Sequence, residues 1–344
     1  MFTFAGKLHI NNFSCIMANV IKIKKGLDIN LKGKASDVLL NGGKSESYAI
    51  VPNYYNGILP KVVAKVGEKV KAGSVLMIDK NRPEIKFVSP VSGEVTAVNR
   101  GEKRKVLSIV VKPDAQIEYE EFGKKNVASL QGAEVKEVLL NAGMWPFIKQ
   151  RPYDIVAAPL DTPRDIFVSA FYSAPLAPNF DFIVKGQEAD FQTGLNALAK
   201  LTNGKVYVGV RSGSVVSGMK GVEIVEVEGP HPAANVGVQI NHIKPVNKGE
   251  VVWTVNPADV IVIGRLFNKG VADFSRMVAI TGSETTERGY VKTISGCTIK
   301  SLVNGKVLGQ EHIRIISGNV LTGTKVNMDG YLGAYDNQIT VIPE

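Results

Sequence analysis

The sequence predicts a chain that combines α/β and all-β architecture, and three observations carry that expectation. Thirty-four glycines and sixteen prolines among 344 residues favour short strands and turns over a helical bundle. Residues 57–98 set apolar residues two or three apart between glycines, as in short strands that bury one face. From Phe122 the pattern changes to apolar runs alternating with amphipathic segments of helical period, before short strands return after Leu266. The expected organisation is a leader or added extension over 1–16, a first β region over 17–120, an α/β region over 121–265 and a second β region over 266–344. Met17-Ala18-Asn19 reads as the natural start.

In order along the chain, residues 20–31 (VIKIKKGLDINL) alternate apolar and basic residues around Gly26 and read as a hairpin or edge strand pair. Residues 57–98 hold Val66-Gly67-Glu68-Lys69-Val70-Lys71-Ala72-Gly73 and Ser89-Pro90-Val91-Ser92-Gly93. The glycines stand where strands reverse, since glycine takes positive φ at little steric cost. The region closes with VLSIVVK at 106–112. Residues 128–142 have helical spacing, with Gly143 as the stop, and 145–152 (WPFIKQRP) read as a loop. Strands are expected over 165–170, 205–210, 222–227 and 251–255, with a helix over 191–201, which together suggest a parallel layer of Rossmann type. Residues 229–249 read as a polar loop. The last region is expected to hold strands at 290–294, 297–299, 312–316 and 338–342, as in a β-grasp module.

The formal charge of +9 suits an anionic partner, yet the lysines are scattered and alternate with apolar residues, as on a solvated face. Nothing resembling a nucleic-acid-binding signature accompanies them. Cys15 and Cys297 lie too far apart for a cysteine-built zinc or iron–sulfur site. No run reaches the ~18 apolar residues that span a bilayer. These features suggest a cytoplasmic protein that meets membranes through partners.

Several motifs fail on inspection. Gly213 to Gly221 begins like a phosphate-binding loop, but Met219 and Gly221 stand where lysine and Ser/Thr are required. His231 and His242 lack nearby acidic or thiol ligands at metal spacing, so no metal site is expected; a loop histidine could still donate a hydrogen bond to a carbonyl. No hydrolytic constellation is present.

The pattern of 57–98 resembles the barrel-sandwich of biotinyl and lipoyl carrier domains, including Asp79-Lys80 and Glu84. The link from Glu84 to Ser89 is two residues longer than in that family, and Arg82-Pro83 stiffens the tip, so Lys80 is read as unmodified. Ser295-Gly296-Cys297-Thr298 is similar to the element in which a threonine carries FMN. Cys297 and Lys292 depart from it, and Thr298 is read as not flavinylated.

Taken with Arg151-Pro152, 163–170 (PRDIFVSA), 228–233 (EGPHPA), 314–321 (RIISGNVL) and 331–338 (YLGAYDNQ), the chain resembles the A-subunit family of the sodium-translocating NADH:quinone oxidoreductases from about Met17 onward. The resemblance implies a peripheral, cytoplasmic subunit that binds or positions quinone as substrate, beside membrane subunits. FMN, FAD and iron–sulfur centres would belong to other subunits, and no cofactor is expected on this chain. The α/β region is similar to the flavin subunit of complex I without its glycine-rich motifs, and the last region to soluble-ligand-binding β-grasp domains. Family members continue past Glu344, so a C-terminal portion is expected to be missing. The quinone contacts expected are His231, His242, Trp145, Phe147 and Trp253. The alternative is a docking subunit that joins the membrane and NADH-oxidising parts without touching quinone.

Overall fold

A computed structural model describes residues 20–309 and 312–344. The expected extension over 1–16, the proposed start at Met17 and Cys15 lie outside the described residues. β1 (Val20–Lys22) is an edge strand, but it forms no hairpin. It runs parallel to residues 226–228, some two hundred positions later. Gly26 is needed for close approach instead of a turn, because a Cβ there would collide with the His231 carbonyl. Beyond it, residues 23–47 form an extended strap, pinned by Leu27 N–H to His231 O and by Leu40 N–H to Tyr290 O.

The first β region packs two small antiparallel sheets against each other. β2 (Tyr48–Ile50), β3 (Pro60–Val62), β4 (Lys69–Val70), β5 (Val75–Asp79), β6 (Lys86–Val88), β7 (Gly93–Arg100) and β8 (Val106–Pro113) divide into the orders β2-β8-β7-β4 and β3-β5-β6. Their facing side chains, Leu76, Met77, Ile85, Val91, Val95 and Ile109, are fully buried. Gly67 and Gly73 take φ of 87° and 106° at the reversals between strands.

The α/β region starts with α1 (Gly132–Asn141), opened by a Gln131–Glu134 capping box. The segment expected as a loop at 145–152 is instead one 3₁₀ turn and a strand, β9 (Ile148–Arg151), paired with β10 (Ile155–Val156). Its sequence, IKQR, hides the strand: only alternate residues, Ile148 and Gln150, are buried. There follow β11 (Ile166–Ser169), α2 (Phe180–Val184), α3 (Glu188–Ala199), β12 (Val206–Val210) and β13 (Glu223–Glu228). Residues 229–249, expected as loop, contain a helix, α4 (Val236–Ile243), whose Val236, Ile240 and Ile243 pack on Phe167 and Val252. β14 (Val252–Val255) leads into α5 (Pro257–Lys269). The seven-stranded sheet has the order β1-β13-β12-β11-β14-β9-β10, parallel from β1 to β14 and antiparallel at β9 and β10.

Asn256 caps α5 through Oδ1, Pro257 occupies its first turn, and Gly270 ends it at φ 78°. Every residue from Pro257 to Phe267 is buried. Gly264 and Gly194 let α5 and α3 touch backbone to backbone; a Cβ on either would strike the other helix's carbonyls. α5 runs across the division expected at 265/266.

The last sheet contains β15 (Ser275–Thr281), β16 (Gly289–Ile294), β17 (Ile313–Ser317), β18 (Thr324–Val326) and β19 (Gln338–Pro343), in the order β16-β15-β19-β17-β18. β15 and β19 are parallel and the other pairs antiparallel. Residues 297–299, expected as a strand, turn instead into α6 (Ile299–Val303), because the Thr298 side chain caps the amide of Ser301. One apolar core runs through all three regions.

A buried ion pair ties the last sheet to α5. Arg276 Nη2 on β15 donates to Asp259 Oδ1 at 2.8 Å, with both side chains at most 2% exposed. Burial pushes the Asp259 carboxyl up to about 6, and Arg276 only partly counters it. Removing one partner strands the other charge. Arg276→Ala is therefore expected to destabilise the chain by roughly 3–5 kcal/mol in denaturant unfolding. The paired change Asp259→Leu/Arg276→Met should cost much less, and equal losses would contradict this account.

Six residues after Asp259 on α5, Arg265 donates to the carbonyls of Asp273 and Ser275 and lies 3.3 Å from Asp273 Oδ1. Burial raises the Asp273 carboxyl, but Arg265, Lys269 and Ser275 outweigh it and hold it at about 2. The folded value lies below the unfolded one, so this stabilisation is present above pH ~4 and lost as pH falls through about 2. Asp273→Asn should flatten the acid limb of a stability–pH curve by about 2 kcal/mol. An unchanged acid limb would refute it.

Candidate functional site

The parallel strand order reverses between β11 and β14, and open α/β sheets place ligand crevices at the carboxyl ends of strands at such a point. A cavity of about 640 Å³ lies there. Ser169, Phe171 and Tyr172 enter it from the end of β11, and Thr254, Val255 and Asn256 from the end of β14. Lys149 of β9 pairs directly with Thr254, and Arg151 with Val252, which puts both cations on the face covered by α4. Asp154 bridges them, 3.2 Å from Lys149 Nζ and 3.3 Å from Arg151 Nη2. The ammonium of Lys149 also sits 4.3 Å over the Tyr335 ring.

On the far side of Phe147 lies a narrower apolar seam of about 40 Å³, where all three regions meet. Tyr54, Tyr55 and Phe87 reach it from the first region, Pro146 and Phe147 from the second, and Phe274 and Leu332 from the third. Tyr55 packs edge-on against Phe87 at 4.7 Å and Tyr335 at 5.7 Å. Its phenol is pushed above the ordinary range by burial, with Arg276 lowering it and Asp259 raising it. A polar web backs the seam: Tyr172 Oη donates to Asn256 Oδ1, Asn337 Nδ2 donates to Tyr172 Oη, and Tyr335 Oη donates to Pro146 O. The lining carries no charged group and is rich in aromatic rings, but about 40 Å³ is well below the ~150 Å³ cavity that admits a benzene ring, so a ring could enter only if Tyr55, Phe87 and Phe147 move apart.

Of the five residues expected to contact a ligand, only Phe147 lines either cavity. Trp145 and Trp253 are wholly buried and meet edge to face at 5.3 Å. Trp145 Nε1 donates to Ala157 O, whereas Trp253 Nε1 has no partner among the described residues. They are core residues. His231 fastens the strap: its amide donates to Asp28 Oδ1, its carbonyl accepts from Leu27, and its Nδ1 lies 3.1 Å from Ser173 Oγ. His242 is exposed on α4, with Nδ1 at 2.8 Å from Val238 O. The two histidines are not brought together with the aromatics.

Sequence reasoning did not single out Tyr54, Tyr55, Lys149 or Thr254, and it named Arg151 and Tyr335 only within the segments that carry the family resemblance. Lys149-x-Arg151 has the two-residue spacing of a strand face, and that was the available signal.

Lys80 stands exposed at the β5–β6 hairpin tip, but the tip is clamped. Asp79, fully buried, accepts from Arg82 Nε and the Leu59 amide; Arg82 then donates to Val156 O in the α/β region and to Gly57 O. Thr298 is half-buried, with Oγ1 at 3.1 Å from Ser45 Oγ, and serves as a helix cap. No group of three potential metal ligands occurs among the described residues. No helix among them is long and apolar enough to cross a membrane.

Comparison with known proteins agrees across the chain. Residues 21–114 match the NqrA N-terminal barrel-sandwich hybrid domain, 130–272 the NqrA second alpha/beta domain, and 277–328 the NQRA C-terminal domain. The chain is 36% identical over 330 residues to the A-subunit of the Na(+)-translocating NADH-quinone reductase of Neisseria meningitidis serogroup A, covering 94% of this chain and 74% of that one. It is 37% identical over 331 residues to the corresponding protein of Hahella chejuensis, with the same coverage. Among solved structures, an NAD+-reducing [NiFe]-hydrogenase superposes on 53% of this chain and 41% of its own at a TM-score of 0.38 and 12% identity, too loosely to support an argument. The chain therefore belongs to the NqrA family, the A-subunits of the Na(+)-translocating NADH-quinone reductases.

Proposed function

We propose that this chain binds or positions quinone for its reduction, as a peripheral subunit on the cytoplasmic side of a sodium-pumping NADH-quinone reductase. The observation that carries the reading is the aromatic seam. Its lining is free of ionised side chains, and it lies where three regions converge. Ring stacking against Tyr55, Phe87 and Phe147 suits a quinone head group, and the Tyr54 and Tyr55 phenols supply hydrogen-bond donors for its carbonyls. NADH oxidation, with its flavin and iron–sulfur chemistry, is assigned in this reading to the partner subunits. The membrane subunits are the expected docking partners.

The fold details fit the same picture. Strand order 2-1-5-3-4 within the last sheet, with α6 between its second and third strands, supports a β-grasp reading. The parallel run from β1 to β14 supports a Rossmann-like one.

Titration of the chain with a short-tailed ubiquinone or menaquinone analogue tests the proposal, read through Trp145, which precedes Pro146 and Phe147 in sequence. Saturable quenching is expected, weakened about tenfold or more by Phe147→Ala or Tyr55→Ala, because each removes a stacking face. His231→Ala and His242→Ala should leave the affinity unchanged. Loss of affinity in His231→Ala with none in Tyr55→Ala would move the site to the loop histidine. Absence of saturable quenching would favour the docking role.

A further inference from the structure

The crevice at the β11–β14 switch has features that a quinone reading does not use. α4 points its amino end into it. The Asn235 side chain does not cap that helix, and no described group accepts from the amides of Val236 and Gly237. Gly237 borders open space, since a Cβ on it would meet nothing within 4 Å. Helix amino ends left in this state attract anions, through free N–H groups and the positive end of the helix dipole.

A second observation stands apart from the helix. Thr254 lines the crevice, is only 4% exposed, and its hydroxyl makes no hydrogen bond to any described residue. The oxygen itself is open to the crevice and not sealed in the core, so this hydroxyl, on a side chain otherwise buried, is free to meet a ligand oxygen. Lys149 stands beside it across the β9–β14 ladder. Arg151 Nε is buried and likewise unpartnered. Asp154 is the opposing charge. It neutralises one of the two cations, leaving the crevice with a net positive charge before any ligand enters. Phe171, Tyr172 and Tyr335 add aromatic walls beside the polar Ser169, Asn256 and Thr322, in a volume within the usual range for small-molecule sites.

We propose that this crevice binds a phosphate monoester. Its phosphate oxygens take the amides of Val236 and Gly237, the Thr254 hydroxyl and the Lys149 ammonium, and its organic part lies against Phe171 and Tyr172. The site shares only Phe147 with the lining of the seam and does not depend on quinone binding there.

Isothermal titration calorimetry of the whole chain with adenosine 5′-monophosphate, inorganic phosphate and adenosine tests the assignment. One nucleotide per chain is expected to bind, adenosine is not, and inorganic phosphate should compete with the nucleotide. Lys149→Gln should weaken the nucleotide about tenfold or more, since it removes a charged hydrogen bond, and Thr254→Val a few-fold, since it removes a neutral one. Gly237→Asp, which places a carboxylate at the helix end, should abolish binding. Phosphate binding as tightly as the nucleotide would support the anion site with free phosphate as its source. Failure of the wild-type chain to bind either anion at millimolar concentration would overturn the proposal. So would unchanged affinity in Lys149→Gln and Thr254→Val chains whose circular dichroism matches the wild type.

Discussion

The Asp259–Arg276 ion pair is the constraint on which the arrangement of the three regions depends. It lies where the amino end of α5 meets β15, with Tyr55 of the first region close enough to feel both charges. Two charges that share a dry interior tolerate little relative movement, because separation leaves each unsolvated. The pair thereby holds the helix that floors the crevice against the sheet that closes the seam. Neither cavity could keep its shape if these surfaces slid. The hydrogen-bonded web of Asn256, Tyr172 and Asn337 extends the same restraint to the end of β11.

The two cavities differ in chemistry although Phe147 lines both. On one side every lining residue is uncharged. On the other, a helix end and two cations face an unpartnered hydroxyl. The difference follows from the short strand β9. Its alternation sends Lys149 and Arg151 to the α4 face, while Ile148 and Gln150 point the opposite way into buried surroundings. A one-residue slip in its pairing with β14 would exchange the two sets and leave the crevice without its cations.

Much of the fold was legible in the residues. Glycine spacing marked the first region, and β11, β12, β13, β14, β16, β17 and β19 fall on apolar or alternating runs that local pattern detects, whereas β15 (SRMVAIT) was not among the expected strands. IKQR at β9 has too few apolar residues to signal a strand, and the helical spacing of Val236, Ile240 and Ile243 in α4 is masked by Gly237 and by the prolines and polar residues on either side. β9 in particular is held by tertiary pairing with β14 that local sequence does not report. The candidate site was less legible still. Aromatic residues and histidines attract attention as ligand contacts, yet the two tryptophans are the largest buried side chains and serve the core. Tyr55, Tyr335 and Thr254 come from separate regions of the chain, and only the fold brings them near Phe147.

The strap has a consequence for how the chain reaches its native state. Val20 pairs with Glu226, Leu39 bridges Tyr290, and Tyr48 bridges Cys297. The segment synthesised early must wait for the last third of the chain before it can dock. Contacts this distant in sequence slow folding, because loop-closure entropy is lost before the contacts repay it. The exposed apolar side chains of Leu27, Ile29, Leu31 and Leu39 lie on this waiting segment. Ribosome-bound intermediates would therefore carry this unpaired edge for most of the time of synthesis.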